Sequence, residues 1–307
     1  RLRLMCQVEL LLALHAQIAD DTTIEWCIVS ATINENTGMV VSRIHKHRPD
    51  IIAATNWLFN HEQLLHIISR AKALLPHCCI VLGGPEFLGN NEAFLYKNKF
   101  VSGVFRGEGE EVFPQWLKVW NHSKETWKSI TGLCYLDENG RYQDNGIARV
   151  MNFSQLVSPE KSCFFNWSKP FVQLETTRGC FNTCAFCVSG GEKPVRTIPL
   201  EAIRERLNDI HQHGIKNVRV LDRTFNYNNK RAKELLDLFR QYPDICFHLE
   251  IHPALLSEEL KQELSVLPKG LLHLEAGIQS LKESVLQQSR RIGKLSDALE
   301  GLKYLCS

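Results

Sequence analysis

The feature that most constrains the fold of this chain is a repeated alternation of short apolar runs with helix-like stretches. In the first 120 residues or so, apolar runs at residues 24–31, 50–55 and 79–82 alternate with helical patterns such as residues 61–75. This alternation is typical of crossover units on a parallel sheet. We therefore predict an α/β protein whose residues 1–122 form a Rossmann-like doubly wound parallel sheet.

The same alternation returns in the last third of the chain and predicts a second domain at residues 170–307. Four apolar runs separated by helical patterns indicate strands, which is the repeat of a (β/α) barrel. The predicted strands are residues 171–175, 218–222, 247–251 and 271–276. Four units do not close a barrel, so we expect a partial barrel whose C-terminal end is missing. Between the two domains, residues 123–169 resemble a small hairpin followed by a linker.

The N-terminal end also indicates an incomplete chain. The first residue is Arg1 rather than Met, and residues 2–19 have the pattern of a helix interior, so we expect upstream sequence to be missing. The longest apolar stretches, such as residues 10–14, are far shorter than the ~20 residues that span a bilayer. No membrane segment is predicted.

Composition excludes some partners and some environments. The 36 Lys and Arg residues and the 34 Asp and Glu residues are interspersed, so nucleic acid is not an expected partner. Eleven cysteines, an odd number, occur without a secretory segment. This indicates reduced thiols or metal ligands rather than a disulfide framework, and a cytoplasmic location.

Three cysteines with close spacing predict a metal centre. Cys180, Cys184 and Cys187 follow the first predicted barrel strand with the spacing C-x3-C-x2-C. Soft thiolates select iron–sulfur clusters, zinc or copper, and three ligands would leave one iron open for a bound molecule. The spacing alone leaves three alternatives: a zinc site with a distant fourth ligand, an electron-transfer cluster with a distant fourth cysteine, or unrelated buried thiols.

The cysteine segment resembles the radical S-adenosylmethionine (SAM) superfamily, whose C-x3-C-x2-C motif carries an aromatic residue before the third cysteine, as Phe186 does here. The resemblance implies a partial barrel of radical SAM type with a 4Fe-4S cluster on the three cysteines. It also implies that the open iron binds SAM, which one electron cleaves to methionine and a 5'-deoxyadenosyl radical. The implied partners are an electron donor such as flavodoxin or ferredoxin and a small-molecule or peptide substrate.

Polar residues follow the later barrel strands and are the predicted SAM contacts. In the family these strand ends lie near the amino group, ribose and carboxylate of SAM. The residues nominated by this resemblance, together with Phe186, are Asp222, Arg223, Thr224, Glu250, Glu275, Gln279, Ser280 and Arg290. Each has an alternative role as a helix cap, a surface ion pair or a partner of a helix dipole.

Two glycine-containing motifs end strands of the first domain, where open parallel sheets bind ligands. The chain resembles a subgroup of radical SAM proteins with an N-terminal cobalamin-binding domain, which carry Gly-Gly-Pro and Gly-Glu-Gly-Glu at these places. The implied cobalamin contacts are Asn56, Trp57, Gly83, Gly84, Pro85, Gly107, Glu108 and Gly109. The Asp-x-His-x-x-Gly loop that supplies a lower cobalt ligand elsewhere is absent from residues 1–122. Asn56 or Trp57 would then lie beneath cobalt, and the alternative is a domain that kept its fold and lost cobalamin.

The resemblance implies an enzyme that makes a radical from SAM and transfers a methyl group from cobalamin to an unactivated carbon. Two alternatives remain open from the sequence. One is a radical rearrangement or cyclisation without cobalamin, and the other is an electron-transfer iron–sulfur protein. The sequence does not identify the substrate.

Overall fold

The computed structural model describes residues 2–7, 10–189 and 192–306. The chain divides into two compact units, the first ending at Phe165 and the second beginning at Asn166. The sequence predicted a separate segment at residues 123–169. In the structure, most of that segment belongs to the first unit, and only its last residues, from Asn166, belong to the second. Within the described residues, no helix combines the length and apolar character needed to cross a membrane.

The first unit is built on a mostly parallel sheet, as the alternation predicted. The strands are β1 (Leu2–Gln7), β2 (Ile24–Ile28), β3 (Ile51–Thr55), β4 (Cys79–Gly83), β5 (Gly103–Phe105), β6 (Leu133–Leu136) and β7 (Tyr142–Asp144). Their order is β2-β1-β3-β4-β5-β6-β7, and β1 to β5 run parallel. The predicted hairpin forms β6 and β7, which extend this sheet as antiparallel strands.

Helices cover both faces of this sheet, which makes the unit doubly wound. The helices are α1 (Leu10–Ala16), α2 (Thr37–His47), α3 (His61–Leu74), α4 (Glu92–Lys97) and α5 (Val112–Leu117). Ile52 and Ile80 pack with Ile44 and Ile68 of α2 and α3 on one face. Alternate strand residues such as Ile51 and Val81 pack on the other face with Phe113 and Trp116 of α5. Consecutive residues of a strand point to opposite faces, so these apolar runs are buried on both sides.

The prediction of one helix over residues 2–19 is wrong. Residues Leu2–Gln7 form β1, and a helix begins only at Leu10. β1 lies between β2 and β3 and pairs in parallel with both. Leu and Met favour helices when isolated, but pairing with two neighbouring strands outweighs that preference.

The second unit repeats strand and helix in the order expected for a partial (β/α) barrel. Its strands are β8 (Val172–Leu174), β9 (Thr177–Arg178), β10 (Arg196–Thr197), β11 (Asn217–Val220), β12 (Cys246–Ile251) and β13 (Leu272–Ala276). Its helices are α6 (Leu200–Gln212), α7 (Asn229–Phe239), α8 (Glu258–Ser265), α9 (Glu283–Gln288) and α10 (Leu295–Leu305). A parallel sheet has the order β13-β12-β11-β8, while β9 and β10 form a small antiparallel pair.

The two faces of the parallel sheet in the second unit differ in character. On one face, apolar residues such as Val218 and Phe247 are buried, and Phe239 of α7 stacks on Phe247 with 4.0 Å between ring centroids. On the other face, the side chains of Arg219, Glu250 and Glu275 are partly exposed. The strands end at a common edge, where the cysteine loop follows β8 and β9.

Candidate active site

The three predicted metal ligands lie in one loop between β9 and β10. Cys180 and Cys184 are buried, whereas Cys187 is exposed. The Cys187 N–H donates a hydrogen bond of 3.1 Å to the Cys184 carbonyl oxygen. Burial raises the pKa of the Cys180 thiol, and the nearby Cys187 and Cys184 thiols raise it further. The loop therefore brings the sulfur atoms of Cys184 and Cys187 close enough to affect the Cys180 thiol.

The donor set of this loop fits an iron–sulfur cluster. Among the described residues, no group of three or more Cys, His, Asp or Glu side chains has the arrangement of a formed metal site. The three donors are nevertheless all soft thiols and follow one another within eight residues on a single loop. Thiolates of this kind bind iron–sulfur clusters, while hard cations require oxygen ligands.

Asp222, a predicted SAM contact, instead holds the strand that leads into the cysteine loop. Its carboxylate is buried and accepts hydrogen bonds from the backbone N–H groups of Thr176 and Thr177, at 2.8 and 2.9 Å. The Thr176 hydroxyl also donates to it. Burial raises the pKa of Asp222, and these hydrogen bonds oppose that rise. Because its oxygens already have partners and 1% of the residue is exposed, we revise its role from ligand contact to support of the loop.

The segment after β13 carries Gln279, Ser280 and Arg290 and is joined to the cysteine loop. The Ala185 N–H donates to the Ser289 carbonyl oxygen at 2.9 Å, and the Ile292 N–H donates to Asn182 Oδ1 at 3.1 Å. The structure therefore brings these three predicted SAM contacts to the same end of the unit as the cysteines. Gln279 and Arg290 have positive φ angles of 71° and 56°, and such backbone is enriched at functional sites.

Phe186, Arg223 and Thr224 are also predicted SAM contacts. Phe186 is 58% exposed in the cysteine loop, Arg223 is exposed, and the Thr224 hydroxyl donates to the Arg223 carbonyl oxygen. Their contacts with SAM stay predictions.

Glu250 and Glu275 lie side by side on the open face of the parallel sheet. Arg219 Nη2 lies 3.9 Å from a Glu250 oxygen and 4.0 Å from a Glu275 oxygen. His248 Nε2 lies 3.0 Å from Glu275 Oε2, and the rings of His248 and His273 are 4.7 Å apart. We call these five residues the charged face. Parallel sheets are normally covered on both sides by apolar layers, so a charged face beside the cysteine loop fits a polar ligand.

Sequence reasoning did not nominate two buried residues, His252 directly after β12 and Asn226 after β11. His252 and Asn226 are joined by two backbone to side-chain hydrogen bonds, of 2.8 and 2.9 Å. Neither ring nitrogen of His252 has a hydrogen-bond partner among the described residues. Burial, and then the positive charge of Arg291, lower the pKa of His252 to about 4. The polar run that follows β12 was the only sequence signal, and it does not distinguish a ligand contact from a buried support.

In the first unit, the ends of β3 and β4 meet as predicted. The Asn56 N–H donates to the Gly83 carbonyl oxygen at 2.7 Å. Gly84 has a φ of 112°, and a Cβ atom there would collide with the backbone of Asn56. A Cβ atom on Gly83 would instead meet no heavy atom within 4 Å, which leaves an open cradle at the strand end.

An apolar loop follows Asn56 at this edge. Trp57 stacks on Phe59, with 6.0 Å between the ring centroids, and Leu58 and Phe59 are 83% and 70% exposed. Pro85 begins a short 3-10 turn after the open glycine cradle. An apolar and accessible edge of this kind fits a large ligand such as cobalamin. The individual contacts stay predictions.

Residues 107–109 already contact the protein itself. A Cβ atom on Gly107 would collide with the Ala148 carbonyl oxygen, and Gly109 lies against Leu14. The Glu108 N–H donates to the Ala148 carbonyl oxygen at 3.0 Å, and its carboxylate accepts from the Val150 N–H at 2.6 Å. These contacts give the motif a structural role, and its predicted contact with cobalamin stays a prediction.

Comparison with known proteins decides the family of each unit. Residues 174–307 match the model of the radical SAM superfamily, and residues 12–117 match that of the B12 binding domain. The chain contains a radical SAM domain and a B12-binding domain. The resemblance stated from the sequence is thus confirmed, and the cofactors that belong to these domains are a 4Fe-4S cluster, SAM and cobalamin.

Named relatives have related descriptions. An uncharacterized methyltransferase from Pyrococcus horikoshii is 29% identical over 201 residues, which are 62% of this chain and 43% of the relative. The cobalamin-dependent radical SAM methyltransferase TokK from Streptomyces tokunonensis is 20% identical over 58% of this chain and 28% of its own length. The chain thus spans less than half the length of these two relatives.

A solved structure has the same fold. The radical SAM methyltransferase TsrM from Kitasatospora setae, with cobalamin and a [4Fe-4S] cluster bound, matches with a TM-score of 0.76 and 15% identity. The match covers 100% of this chain and 65% of TsrM. The predicted α/β class, with its parallel sheets, is confirmed by this similarity.

Proposed function

We propose that this protein is a cobalamin-dependent radical SAM methyltransferase that methylates an unactivated carbon of a polar small molecule. The observation that carries the proposal is the presence of both domains in one chain, with a three-thiol loop in one and an open glycine cradle in the other. The names of the two relatives given above support methyl transfer.

The chain's own residues would bind and orient the cofactors. Cys180, Cys184 and Cys187 would hold the cluster, and the edge formed by Asn56, Trp57 and residues 83–85 would hold cobalamin. The cluster supplies an electron for the cleavage of SAM, and cobalamin supplies the methyl group. The residues that would contact SAM are Phe186, Arg223, Thr224, Glu250, Glu275, Gln279, Ser280 and Arg290. Asp222 would keep the cysteine loop in place through Thr176 and Thr177.

The charged face supports a polar substrate. It offers a guanidinium, two carboxylates and two imidazoles on the side of the sheet that the helices do not cover. A hydrophobic substrate would remove water from these charged groups without offering them hydrogen bonds, which is costly. We also infer an electron donor of the flavodoxin or ferredoxin class and a reducing, cytoplasmic setting, because the cluster requires reduced thiols.

The test is anaerobic reconstitution of the full-length protein with iron, sulfide and cobalamin, followed by reduction and addition of SAM. We expect a corrinoid absorption band, methylcobalamin and 5'-deoxyadenosine. Cys184→Ala should lose the cluster and all SAM cleavage, whereas Cys306→Ala, which removes an exposed cysteine near the chain end, should retain both.

The alternatives give different results. SAM cleavage without any corrinoid band would favour rearrangement or cyclisation. A cluster that is reduced and reoxidised but does not cleave SAM would favour electron transfer, and would contradict the methyltransferase proposal.

A further inference from the structure

Between Cys180 and Cys187, one polar side chain other than a thiol is buried. Asn182 lies midway between Cys180 and Cys184, and only 4% of it is exposed. Its Oδ1 accepts a hydrogen bond of 3.1 Å from the backbone N–H of Ile292, which is 110 residues away. A buried amide is retained at such a place only when it has partners, because an unsatisfied one destabilises the fold.

The partner of Asn182 belongs to the segment that carries predicted SAM contacts. Residues 277–293 follow β13 and include Gln279, Ser280 and Arg290. The two ends of this segment are joined, since Arg291 Nη2 donates to the Gly277 carbonyl oxygen at 2.5 Å. The segment therefore forms a closed loop, and a contact at Ile292 fixes the position of its C-terminal side.

A second contact joins the same two loops but does not depend on side chains. The Ala185 N–H donates to the Ser289 carbonyl oxygen at 2.9 Å, and both groups are main chain. One hydrogen bond acts as a pivot, because the loops can still rotate about it. Two hydrogen bonds at different points of the loops remove that rotation, and Asn182 supplies the second through its side chain.

We propose that Asn182 is a positioning residue that sets the distance and orientation between the cysteine loop and the segment 277–293. This inference rests on the proposed function, in which the cysteines hold the cluster and that segment holds SAM. In this role Asn182 touches neither group. It determines whether the segment holds SAM at the correct distance and orientation from the open iron.

The variants that test this inference separate the hydrogen bond from general stability. Asn182→Ala removes the acceptor, and Asn182→Asp retains an oxygen at the same place. Asn228→Ala is the matched control, because Asn228 Oδ1 also accepts a backbone N–H, from Arg231 at 3.0 Å, but at the start of α7. Each variant is made in the full chain.

The first measurement uses the protein without cofactors. Hydrogen–deuterium exchange of the Ile292 amide should be about tenfold faster in Asn182→Ala than in the wild type, and slow again in Asn182→Asp. The second measurement uses the cluster-loaded protein. The SAM dissociation constant should rise about three- to tenfold in Asn182→Ala, as expected for the loss of one net hydrogen bond. The change that SAM causes in the EPR spectrum of the reduced cluster should weaken with it, at unchanged iron content.

The results that overturn the inference differ from those that overturn the proposed function. Exchange of Ile292 or SAM affinity in Asn182→Ala within twofold of the wild type would overturn the role of Asn182 alone. An equal loss of SAM affinity in Asn228→Ala would do the same. A wild-type protein that carries its cluster but shows no effect of SAM on the EPR spectrum would overturn the proposed function, and this inference with it.

Discussion

The carboxylate of Asp222 accepts hydrogen bonds from both the backbone N–H and the hydroxyl group of Thr176, and so connects the end of β11 to the strand before the cysteine loop. Asp222→Ala would leave these donors and the Thr177 N–H buried without partners. We expect a loss of about 3 kcal/mol in the free energy of unfolding, measured by chemical denaturation of the full chain. Asp222→Asn should lose less, because its amide oxygen still accepts the two N–H groups. Asp244→Ala, at an exposed pair with Lys216, should cost less than about 1 kcal/mol.

His252 gives the protein a predictable sensitivity to acid. Its pKa is lowered from 6.5 to about 4 in the folded protein, so the unfolded chain takes up the proton first as the pH falls. The contribution of neutral His252 to the free energy of unfolding is fully present above pH 6.5. It is lost progressively down to about pH 4, to a total of about 3 kcal/mol. Unfolding measured as a function of pH should show this slope.

The variant His252→Leu should remove that slope, because it replaces an imidazole without partners by an apolar side chain of similar size. His122→Gln changes an exposed histidine and should leave the slope as it is. A slope that persists in His252→Leu would assign the acid sensitivity to other groups.

The adjacent glycines at the end of β4 should respond differently to alanine. Gly84→Ala requires a positive φ and brings a Cβ atom against the backbone of Asn56, so we expect a loss of at least about 2 kcal/mol in the stability of the full chain. Gly83→Ala places its methyl group in open space and should leave stability within about 0.5 kcal/mol of the wild type. If cobalamin contacts this edge, Gly83→Ala should weaken the corrinoid absorption of the loaded protein. Normal cobalamin binding by Gly83→Ala would remove Gly83 from the site.

Glu275 on the charged face should matter for ligand binding more than for folding. Its side chain is 57% exposed, and exposed ion pairs contribute less than about 1 kcal/mol. We expect Glu275→Gln to leave thermal unfolding nearly unchanged while SAM binding weakens about tenfold, because a charge-assisted hydrogen bond is lost. Glu258→Gln, which changes an exposed carboxylate paired with the largely buried Lys261, should change neither quantity. A wild-type SAM affinity in Glu275→Gln would exclude a contact between Glu275 and SAM.

The sequence predicted the features that depend on local pattern. The alternation of apolar runs located the parallel strands of both units except β1, and the spacing of Cys180, Cys184 and Cys187 predicted the cysteine loop as the place of the cluster. Residues 2–7 were misread as helix, because pairing with two neighbouring strands is a property of the folded sheet. For Asp222, residue type and position at a strand end are the same for a ligand contact and for a buried support. The contact between Asn182 and Ile292 joins residues 110 positions apart, and no local pattern indicates it.

The parallel sheet of the second unit has one apolar, buried face and one charged face. This difference determines which substitutions such a domain can accept without losing stability. Alternate residues along each strand belong to different faces, so Val218 and Phe247 maintain the helix-covered side while Arg219 and His248 line the charged face. A substitution at every second position of these strands therefore leaves the packed layer intact. Substitutions on the charged face can therefore change substrate preference with little loss of stability, because the packed layer on the other face is unchanged.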